Sequence, residues 1–248
     1  MQSVERIFAI VEILAQHPKG MPLQALAGEA ALAKSTAHRL LSNLVALGYV
    51  VQDSFTTHYR LTLKLYEIAS APVNDMDIVS AARGHIDRLS RHTGEAVHLV
   101  VRDGADIVYV YKAEAPLSNM RMSSHVGLRI PMYCTGTGKA ILASLSPADV
   151  ERIWKKSEIK KLTPHTITSL DALNEQLVQI RAQGYAIDDE ENELGIRCVA
   201  VALPTRAGAA LAAISISGLA PQMDDARMQD IAQTCLATKQ DILRDLGW

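Results

Sequence analysis

The feature that most constrains the fold is a helical hydrophobic period that occurs three times near the start of the 248-residue chain. Apolar residues stand at three- and four-residue steps in residues 3–16, in a short stretch after Pro22 and in residues 34–47, which predicts three amphipathic helices. Ser3 is a good N-cap residue for the first, and Gly48 stands where a left-handed residue closes the third. The chain is therefore predicted to begin with a small helical unit.

The hydrophobic period then changes from helical to extended. Residues 49–52 and 57–61 have the composition of short β-strands, and Asp53-Ser54 between them is a turn signal. Three helices followed by a two-stranded hairpin, all within about 60 residues, predict a winged helix-turn-helix.

The third predicted helix carries the strongest local signal for function. Small and hydrogen-bonding side chains open its exposed side, whereas Leu40, Leu41 and Leu44 form its apolar side. A recognition helix needs this arrangement because its first turn enters the major groove of DNA. The plainer alternative is an ordinary amphipathic helix whose Ser and Thr only cap it, but the hairpin that follows favours DNA binding. The predicted DNA-contacting residues are Lys34, Ser35, Thr36, His38 and Arg39 in the helix and Thr57, Tyr59 and Arg60 in the hairpin.

Beyond the hairpin the pattern predicts a linker and a second domain. A helix over residues 64–71 is expected to be interrupted at Pro72, and a longer helix is expected over 76–92. Strands are predicted at 96–101, 107–111, 120–123, 185–188, 197–203 and 210–217, with helices at 138–145, 147–155, 169–183 and 224–246. Strands joined by hairpins and mixed with peripheral helices predict a mixed α/β domain with an antiparallel sheet. The predicted organisation is a DNA-binding domain at 1–63, a linker helix that helps dimerisation at 64–77 and a mixed α/β domain at 78–248.

Charge and cysteine content exclude several other classes of protein. Residues 1–63 hold five lysines and arginines against four acidic residues, whereas the rest of the chain holds 20 against 23, so indiscriminate coating of DNA is excluded. Three scattered cysteines without a CxxC pair support neither a disulfide framework nor a metal site. We expect no cofactor, no membrane span and a cytoplasmic location.

Blocks along the whole chain resemble the IclR-type transcriptional regulators. In the first part these blocks are residues 3–6, 32–36, 47–50 and 59–61; in the second they are residues 121–122, 136–140, 184–191, 195–200 and 214–218. The blocks around residues 121–133 and 197–198 are most similar to the branch that regulates sugar-acid and pectin-breakdown genes. The resemblance implies a DNA-binding regulator, a repressor of a carbon-catabolic operon. It further implies a homodimer or tetramer on a palindromic operator, in which the domain at 78–248 binds a small carboxylic or sugar acid that controls the protein.

The resemblance also implies which residues bind the effector. By position they are Met122, Ile130, Gly136, Thr137, Asp188, Ile196, Cys198, Ser215 and Ser217. The glycine turn before a helix offers backbone N–H groups to an anion, and Ser215 and Ser217, two apart on a predicted strand, face one side. Thr137 adds a hydroxyl that suggests a ligand with more hydroxyl groups than pyruvate or glyoxylate.

Two alternatives remain open. Each of these residues has a structural explanation, because a small buried cysteine, two serines on an edge strand and an acidic loop after Asp188 are all common. The second alternative is a hydrolase-like enzyme with Cys198 as nucleophile, His98 as base and Asp188 as the residue that orients it. That enzyme would leave the winged helix unexplained.

Overall fold

The computed structural model describes residues 2–74, 77–114, 123–205 and 208–247. The chain folds into two compact units, residues 1–75 and 76–248. The first is a winged helix-turn-helix and the second an α/β unit built on an antiparallel sheet, which confirms the predicted fold class.

The first unit packs three helices and a hairpin around an aliphatic core. Its elements are α1 (Gln2–Gln16), α2 (Leu23–Glu29), α3 (Lys34–Ala46), β1 (Val50–Gln52), β2 (Tyr59–Leu61) and α4 (Lys64–Asn74). Strands β1 and β2 pair antiparallel, and Met21 adds a bridge to Tyr59 that attaches the hairpin to the turn between α1 and α2. Gly20 next to this bridge has a φ of +79°, and a Cβ there would lie 2.9 Å from the Tyr59 carbonyl oxygen, so this position requires glycine.

Two local predictions for this unit are wrong. Ser3 does not cap α1, because the helix already begins at Gln2. Pro72 does not interrupt α4, which continues to Asn74. A proline removes one backbone donor, and here the helix ends two residues later, so little helix remains to be disrupted.

The second unit is a six-stranded sheet with helices on both faces. Its strands are β3 (Ala96–Asp103), β4 (Asp106–Ala113), β5 (Arg129–Pro131), β6 (Ala186–Asp189), β7 (Ile196–Pro204) and β8 (Ala210–Leu219), in the spatial order β5-β4-β3-β8-β7-β6 with every neighbouring pair antiparallel. Its helices are α5 (Asp77–Thr93), α6 (Gly136–Ala143), α7 (Pro147–Lys156), α8 (Leu170–Gln183) and α9 (Asp225–Asp245). Helices α5 and α9 pack on one face of the sheet, and α6 packs on the other, with α8 against it.

Most predicted elements of this unit are present within one or two residues of their expected ends. Ser169 caps α8 through its hydroxyl, and Gly184 ends that helix at a φ of +84°. Strand β5 was not predicted. The predicted strand at 120–123 lies, apart from Ser123, outside the described residues. Within the described ranges, none of the helices combines the length and the hydrophobicity that crossing a bilayer requires.

Candidate functional site

The exposed face of α3 carries most of the predicted DNA-contacting side chains. Lys34, Ser35, His38 and Arg39 are exposed and Thr36 is half-buried, whereas the apolar side of the helix is buried against the core of the unit. The N-cap position is Ala33, whose side chain makes no capping bond. Ser35 and Thr36 therefore lie inside the helix and do not cap it, which removes the plainer explanation for these two residues.

The hairpin presents a tip with a defined conformation. The Asp53 carboxylate accepts hydrogen bonds from the backbone N–H groups of Phe55 (3.0 Å) and Thr56 (2.8 Å) and from the Thr56 hydroxyl, and these bonds lower the pKa of Asp53. Thr57 and Arg60 are exposed, and the Phe55 side chain at the tip is 95 % exposed. Phe55 was not among the predicted DNA-contacting residues, although it directly follows the Asp53-Ser54 turn signal.

Tyr59 differs from the other predicted DNA-contacting residues. Its side chain is only 6 % exposed and packs in the same core as Leu41 and Leu44. Residues on β2 alternate between the core and the outside, and Arg60 takes the outer position. Tyr59 is therefore a core residue of the winged helix, and we remove it from the DNA-contacting set.

A cavity in the second unit brings together the predicted effector residues. It is lined by Ile130, Gly136, Thr137, Asp188, Ile196, Cys198, Ser215 and Ser217, whereas Met122 lies outside the described residues. Eight lining residues were not in the predicted set: His98, Tyr109, Ser123, Ser124, Leu128, Thr135, Asn192 and Glu193. The wall is thus richer in hydroxyl groups than the predicted set implied.

The strand register explains why the polar wall forms. Asp188 on β6 stands opposite Cys198 on β7, and Cys198 stands opposite Ser217 on β8, which gives one row across three strands. In the neighbouring row Ser215 stands opposite His98 on β3. Residues that face each other on adjacent strands point to the same side of a sheet, as do residues two apart on one strand. Both rows therefore face the cavity.

An irregularity in β4 adds Tyr109 to this wall. The register between β3 and β4 shifts at Leu99 and Val100, so that His98 pairs with Lys112 while Val100 pairs with Tyr109. Without the shift, simple alternation places Tyr109 on the opposite face from Lys112. The Tyr109 ring packs edge-on against the His98 imidazole, with 5.2 Å between their centroids.

The first turn of α6 faces the same cavity. Thr135 caps the helix by accepting the Gly138 N–H at 3.0 Å, and the N–H groups of Gly136 and Thr137 have no acceptor within the helix. Gly138 is required here because a Cβ would overlap the backbone of Met132. This turn offers anion-binding donors and a favourable helix dipole.

A buried ionic cluster adjoins the cavity at Asp188. Lys139 is completely buried and bonds to Glu191 and, at 2.7 Å, to Gln176. The Asp188 carboxyl accepts the Glu191 N–H at 2.8 Å and contacts the Cys198 thiol. The pKa of Asp188 is raised to about 6, chiefly by burial; the charge of Lys139 opposes this shift and the Glu191 carboxylate adds to it.

The geometry does not support the enzyme alternative. His98 Nε2 lies 2.9 Å from the Ser124 hydroxyl and its Nδ1 lies 3.5 Å from that of Ser217, so its polar partners are serines and not Cys198. Burial, together with the charge of Lys112, lowers the pKa of His98 to about 3, which leaves a weak base. Burial and the Asp188 carboxylate raise the pKa of Cys198 well above its usual value, which disfavours a thiolate nucleophile.

Models of known families match both units of the chain. The model described as the helix-turn-helix domain of IclR matches residues 3–54, and the one described as the C-terminal part of the bacterial transcriptional regulator IclR matches residues 70–244. Together they cover the winged helix and the unit with the cavity.

Individual relatives match along the whole chain. The HTH-type transcriptional regulators XynR and KdgR of Escherichia coli (strain K12) are each 35 % identical to it over 248 residues, all of this chain, and these residues cover 98 % and 94 % of the relatives. The crystal structure of the Thermotoga maritima IclR covers all of both chains with 31 % identity and a TM-score of 0.87. These relatives are regulators, which also contradicts the enzyme alternative. The chain belongs to the IclR family of bacterial transcriptional regulators, proteins that bind DNA through a helix-turn-helix and carry an effector-binding domain.

Proposed function

We propose that the chain is a repressor of a carbon-catabolic operon that binds a palindromic operator as a homodimer or tetramer, and that a small hydroxy, keto or sugar acid in the cavity controls it. We also propose a cytoplasmic location, because the DNA that a bacterial regulator binds lies in the cytoplasm. The observation that carries the effector class is the cavity wall. The N–H groups of Gly136 and Thr137, which have no acceptor within α6, suit a carboxylate, and the serine, threonine and tyrosine hydroxyls suit a hydroxylated carbon chain.

The proposed DNA-contacting set is the exposed part of the predicted one. It consists of Lys34, Ser35, Thr36, His38 and Arg39 on α3 and Thr57 and Arg60 on the hairpin. Arg39 is the member suited to bidentate recognition of guanine, since its side chain is exposed on the same face as Ser35 and His38. The helix enters the major groove, while the hairpin contacts the phosphate backbone.

Arg39→Ala tests this set. Loss of one bidentate base contact costs about 1–3 kcal/mol per half-site and is counted twice in a symmetric dimer. We expect operator affinity in a shift assay to fall while the fold and effector binding persist. Arg6→Ala is the matched control, because Arg6 is exposed on α1, outside both contacting elements. Equal operator affinity of the two variants would remove Arg39 from the set.

Oligomerisation is supported by the size and the surface of the DNA-binding unit. A unit with few basic residues makes few phosphate contacts, and pairing doubles them. Leu63 and the α4 residues Tyr66 and Ile68 expose apolar side chains, and exposed apolar groups near one another often mark a protein interface.

The proposed domain organisation is the one predicted from the sequence and its resemblance. Residues 1–63 are the DNA-binding domain, 64–77 the linker that helps dimerisation and 78–248 the effector domain. Light scattering at defined protein concentrations measures the oligomeric state.

A thermal-shift series on the full chain tests the effector class. The series contains pyruvate, glycolate, D-gluconate and D-galacturonate, with D-glucose as the probe that lacks a carboxylate. A true effector raises the melting temperature in a concentration-dependent manner and changes operator affinity, because binding to the native state alone stabilises it. A melting temperature that no acid raises would contradict the proposal.

Ser217→Ala sharpens the same test at the level of one residue. Ser217 lines the cavity and is 5 % exposed, so its truncation leaves a ligand group unpaired, at a cost of about 1–3 kcal/mol or roughly 5- to 150-fold in affinity. Ser90→Ala is the control, since Ser90 is equally buried and donates to the Glu95 carbonyl oxygen outside the cavity. We expect only Ser217→Ala to weaken effector binding in calorimetry, with operator binding in the absence of effector retained.

A further inference from the structure

The charges around the Asp188 carboxyl do not balance. Facing it are one cation, Lys139 of α6, and one buried carboxylate, Glu191, in the loop after β6. Lys139 is already bonded to Glu191 and Gln176, and one Glu191 carboxylate oxygen is buried with no hydrogen-bond partner in the described part of the chain. An ionised Asp188 therefore leaves two buried carboxylates against a single ammonium group.

Among the described residues, the other elements around the cavity place no second cation in its wall. Lys112 of β4 lies opposite His98, but its ammonium group is bonded to the Ser124 carbonyl oxygen and to Glu114. No lysine or arginine is among the described residues that line it. His98 of β3 is neutral at pH 7, because burial lowers its pKa to about 3. The remaining titratable groups near the carboxyl are the thiols of Cys134 and Cys198, the phenol of Tyr109 and the carboxylate of Glu193, and none of these adds positive charge.

An acid effector makes this imbalance worse. Its carboxylate brings another negative charge into a site where the described lining residues offer backbone N–H dipoles and neutral hydroxyl groups, but no cation, to receive it. Burying a further uncompensated charge beside a buried carboxylate is costly, and a carboxyl group in such a place takes up a proton instead.

From this arrangement we infer that Asp188 binds the effector as a neutral carboxylic acid, so that each acid effector binds together with one proton from solvent. The inference rests on the proposed effector class. The neutral Asp188 accepts the Glu191 N–H with one oxygen and donates its own O–H to the ligand with the other. The effector therefore presents a hydrogen-bond acceptor at this position, a carbonyl or hydroxyl oxygen on the carbon chain next to its carboxylate.

The proton is available at low cost near neutral pH. The pKa of Asp188 is already raised to about 6 by burial, so the free site holds a proton part of the time at pH 7. A bound anion raises the pKa of its neighbouring carboxyl further. Between pH 6 and the higher pKa of the complex, effector affinity falls by up to about tenfold for each pH unit.

Calorimetry on the full-length protein tests the inference. The probe is whichever acid of the thermal-shift series binds the wild-type protein, titrated at pH 7.5 in buffers of different ionisation enthalpy, so that the number of protons taken up is read from the dependence on buffer. We expect close to one proton per effector, and affinity that weakens from pH 6 to pH 8. No proton uptake by a wild-type protein that binds the probe overturns the inference alone. Binding of none of the acids overturns the proposed effector class and the inference with it.

Asp188→Asn is the decisive variant. An asparagine oxygen can still accept the Glu191 N–H while its NH₂ group donates to the ligand, so the amide reproduces the neutral acid without a titrating proton. We expect Asp188→Asn to bind the probe within about threefold of the wild type at pH 6 and to show neither proton uptake nor pH dependence. Asp188→Ala should lose binding.

A neighbouring carboxylate serves as the matched control. Asp189 is the next residue, and its side chain is exposed and pairs with Arg197. Asp189→Asn should keep the proton uptake of the wild type. An Asp188→Asn variant that binds as poorly as Asp188→Ala, or that still takes up a proton, overturns the inference.

Discussion

The exposed face of α3 and the cavity of the second unit assemble their polar side chains in opposite ways. The DNA-contacting set comes from one helix and one hairpin between residues 34 and 60, and its members are mostly exposed to solvent. The cavity collects residues from β3, β4, β6, β7, β8 and the start of α6, between residues 98 and 217, and several of them are almost completely buried. An exposed polar face costs the fold little, whereas a buried polar wall must satisfy every group it contains. Substitutions in the two regions should therefore differ most in their effect on stability.

The largest expected effect is at Lys139. Lys139→Ala leaves the buried Glu191 carboxylate without its partner, and breaking a buried ion pair from one side costs about 3–5 kcal/mol. The exposed pair of Lys155 and Glu151 on α7 provides the control, because Lys155→Ala should change the unfolding free energy by less than about 0.5 kcal/mol. Both tryptophans of the chain, Trp154 and Trp248, belong to the second unit, so denaturant unfolding followed by tryptophan fluorescence reports this unit. Equal losses in the two variants would contradict the account of the cluster.

Gly138→Ala is expected to be nearly as severe. The added Cβ overlaps the Met132 backbone, which cannot move without shifting the first turn of α6, so we expect destabilisation near the upper end of the overpacking range, about 3 kcal/mol. Gly84→Ala is the matched control, because Gly84 lies in α5 of the same unit with nothing within 4 Å of its added Cβ. There alanine should stabilise the helix by up to about 1 kcal/mol. The same fluorescence-monitored unfolding measures both, and a tolerated Gly138→Ala would show that α6 adapts.

The third prediction concerns how the cavity responds to pH. Asp188 has a folded pKa raised to about 6, so its contribution to stability is full below about pH 4 and is lost as the pH rises through 6. His98 has a folded pKa lowered to about 3, so its contribution is present above pH 6.5 and is lost as the pH falls towards 3. Between pH 4 and 6 the two slopes oppose each other. We expect these two contributions to the wild-type unfolding free energy nearly to cancel in this window.

Single variants separate the two slopes. With Asp188→Asn the unfolding free energy should fall on acidification by about 1.4 kcal/mol per pH unit, and with His98→Gln it should rise by a similar amount. Denaturant unfolding at half-unit pH steps provides the measurement. Parallel pH profiles of the two variants would show that these groups do not titrate as their burial implies.

The same difference between the exposed face of α3 and the buried cavity determines how much of each could be predicted from the sequence. The exposed positions of α3 follow from a 3.6-residue period within the 13 residues of the helix, so a local pattern is enough to identify Arg39 and His38. Tyr59 was assigned wrongly because alternation shows that β2 has two sides but does not show which side the core occupies. Family resemblance, and not periodicity, pointed to Asp188, Cys198 and Ser217.

Other parts of the cavity depend on long-range packing that has no local signal. Tyr109 faces the cavity because the β3–β4 register shifts, and nothing in residues 96–113 marks the position of that shift. The burial of Lys139 was also not predicted, because a lysine in an amphipathic helix normally lies at the surface. Its partner Glu191 is 52 residues away along the chain. The acidic run after Asp188 likewise resembles a solvated loop until Lys139 is placed against it.

The smallest expected effect lies at Ala31, in the turn between α2 and α3. Ala31 has a φ of +51°, a left-handed conformation that costs an alanine about 1 kcal/mol relative to glycine. Because Ala31 is exposed and its side chain is outside the core, Ala31→Gly should stabilise the winged helix by up to about 1 kcal/mol.

The reverse substitution at a helical position serves as the comparison. Gly28 lies in α2, where an added Cβ meets nothing within 4 Å, so Gly28→Ala should also stabilise the unit, by about 0.5–1 kcal/mol. Hydrogen exchange of the α1–α3 amides measures both as about two- to fivefold slower exchange, with operator affinity and the fluorescence-detected unfolding of the second unit unchanged. Faster exchange in Ala31→Gly would mean that the greater freedom of glycine in the unfolded chain outweighs the strain relieved in the turn.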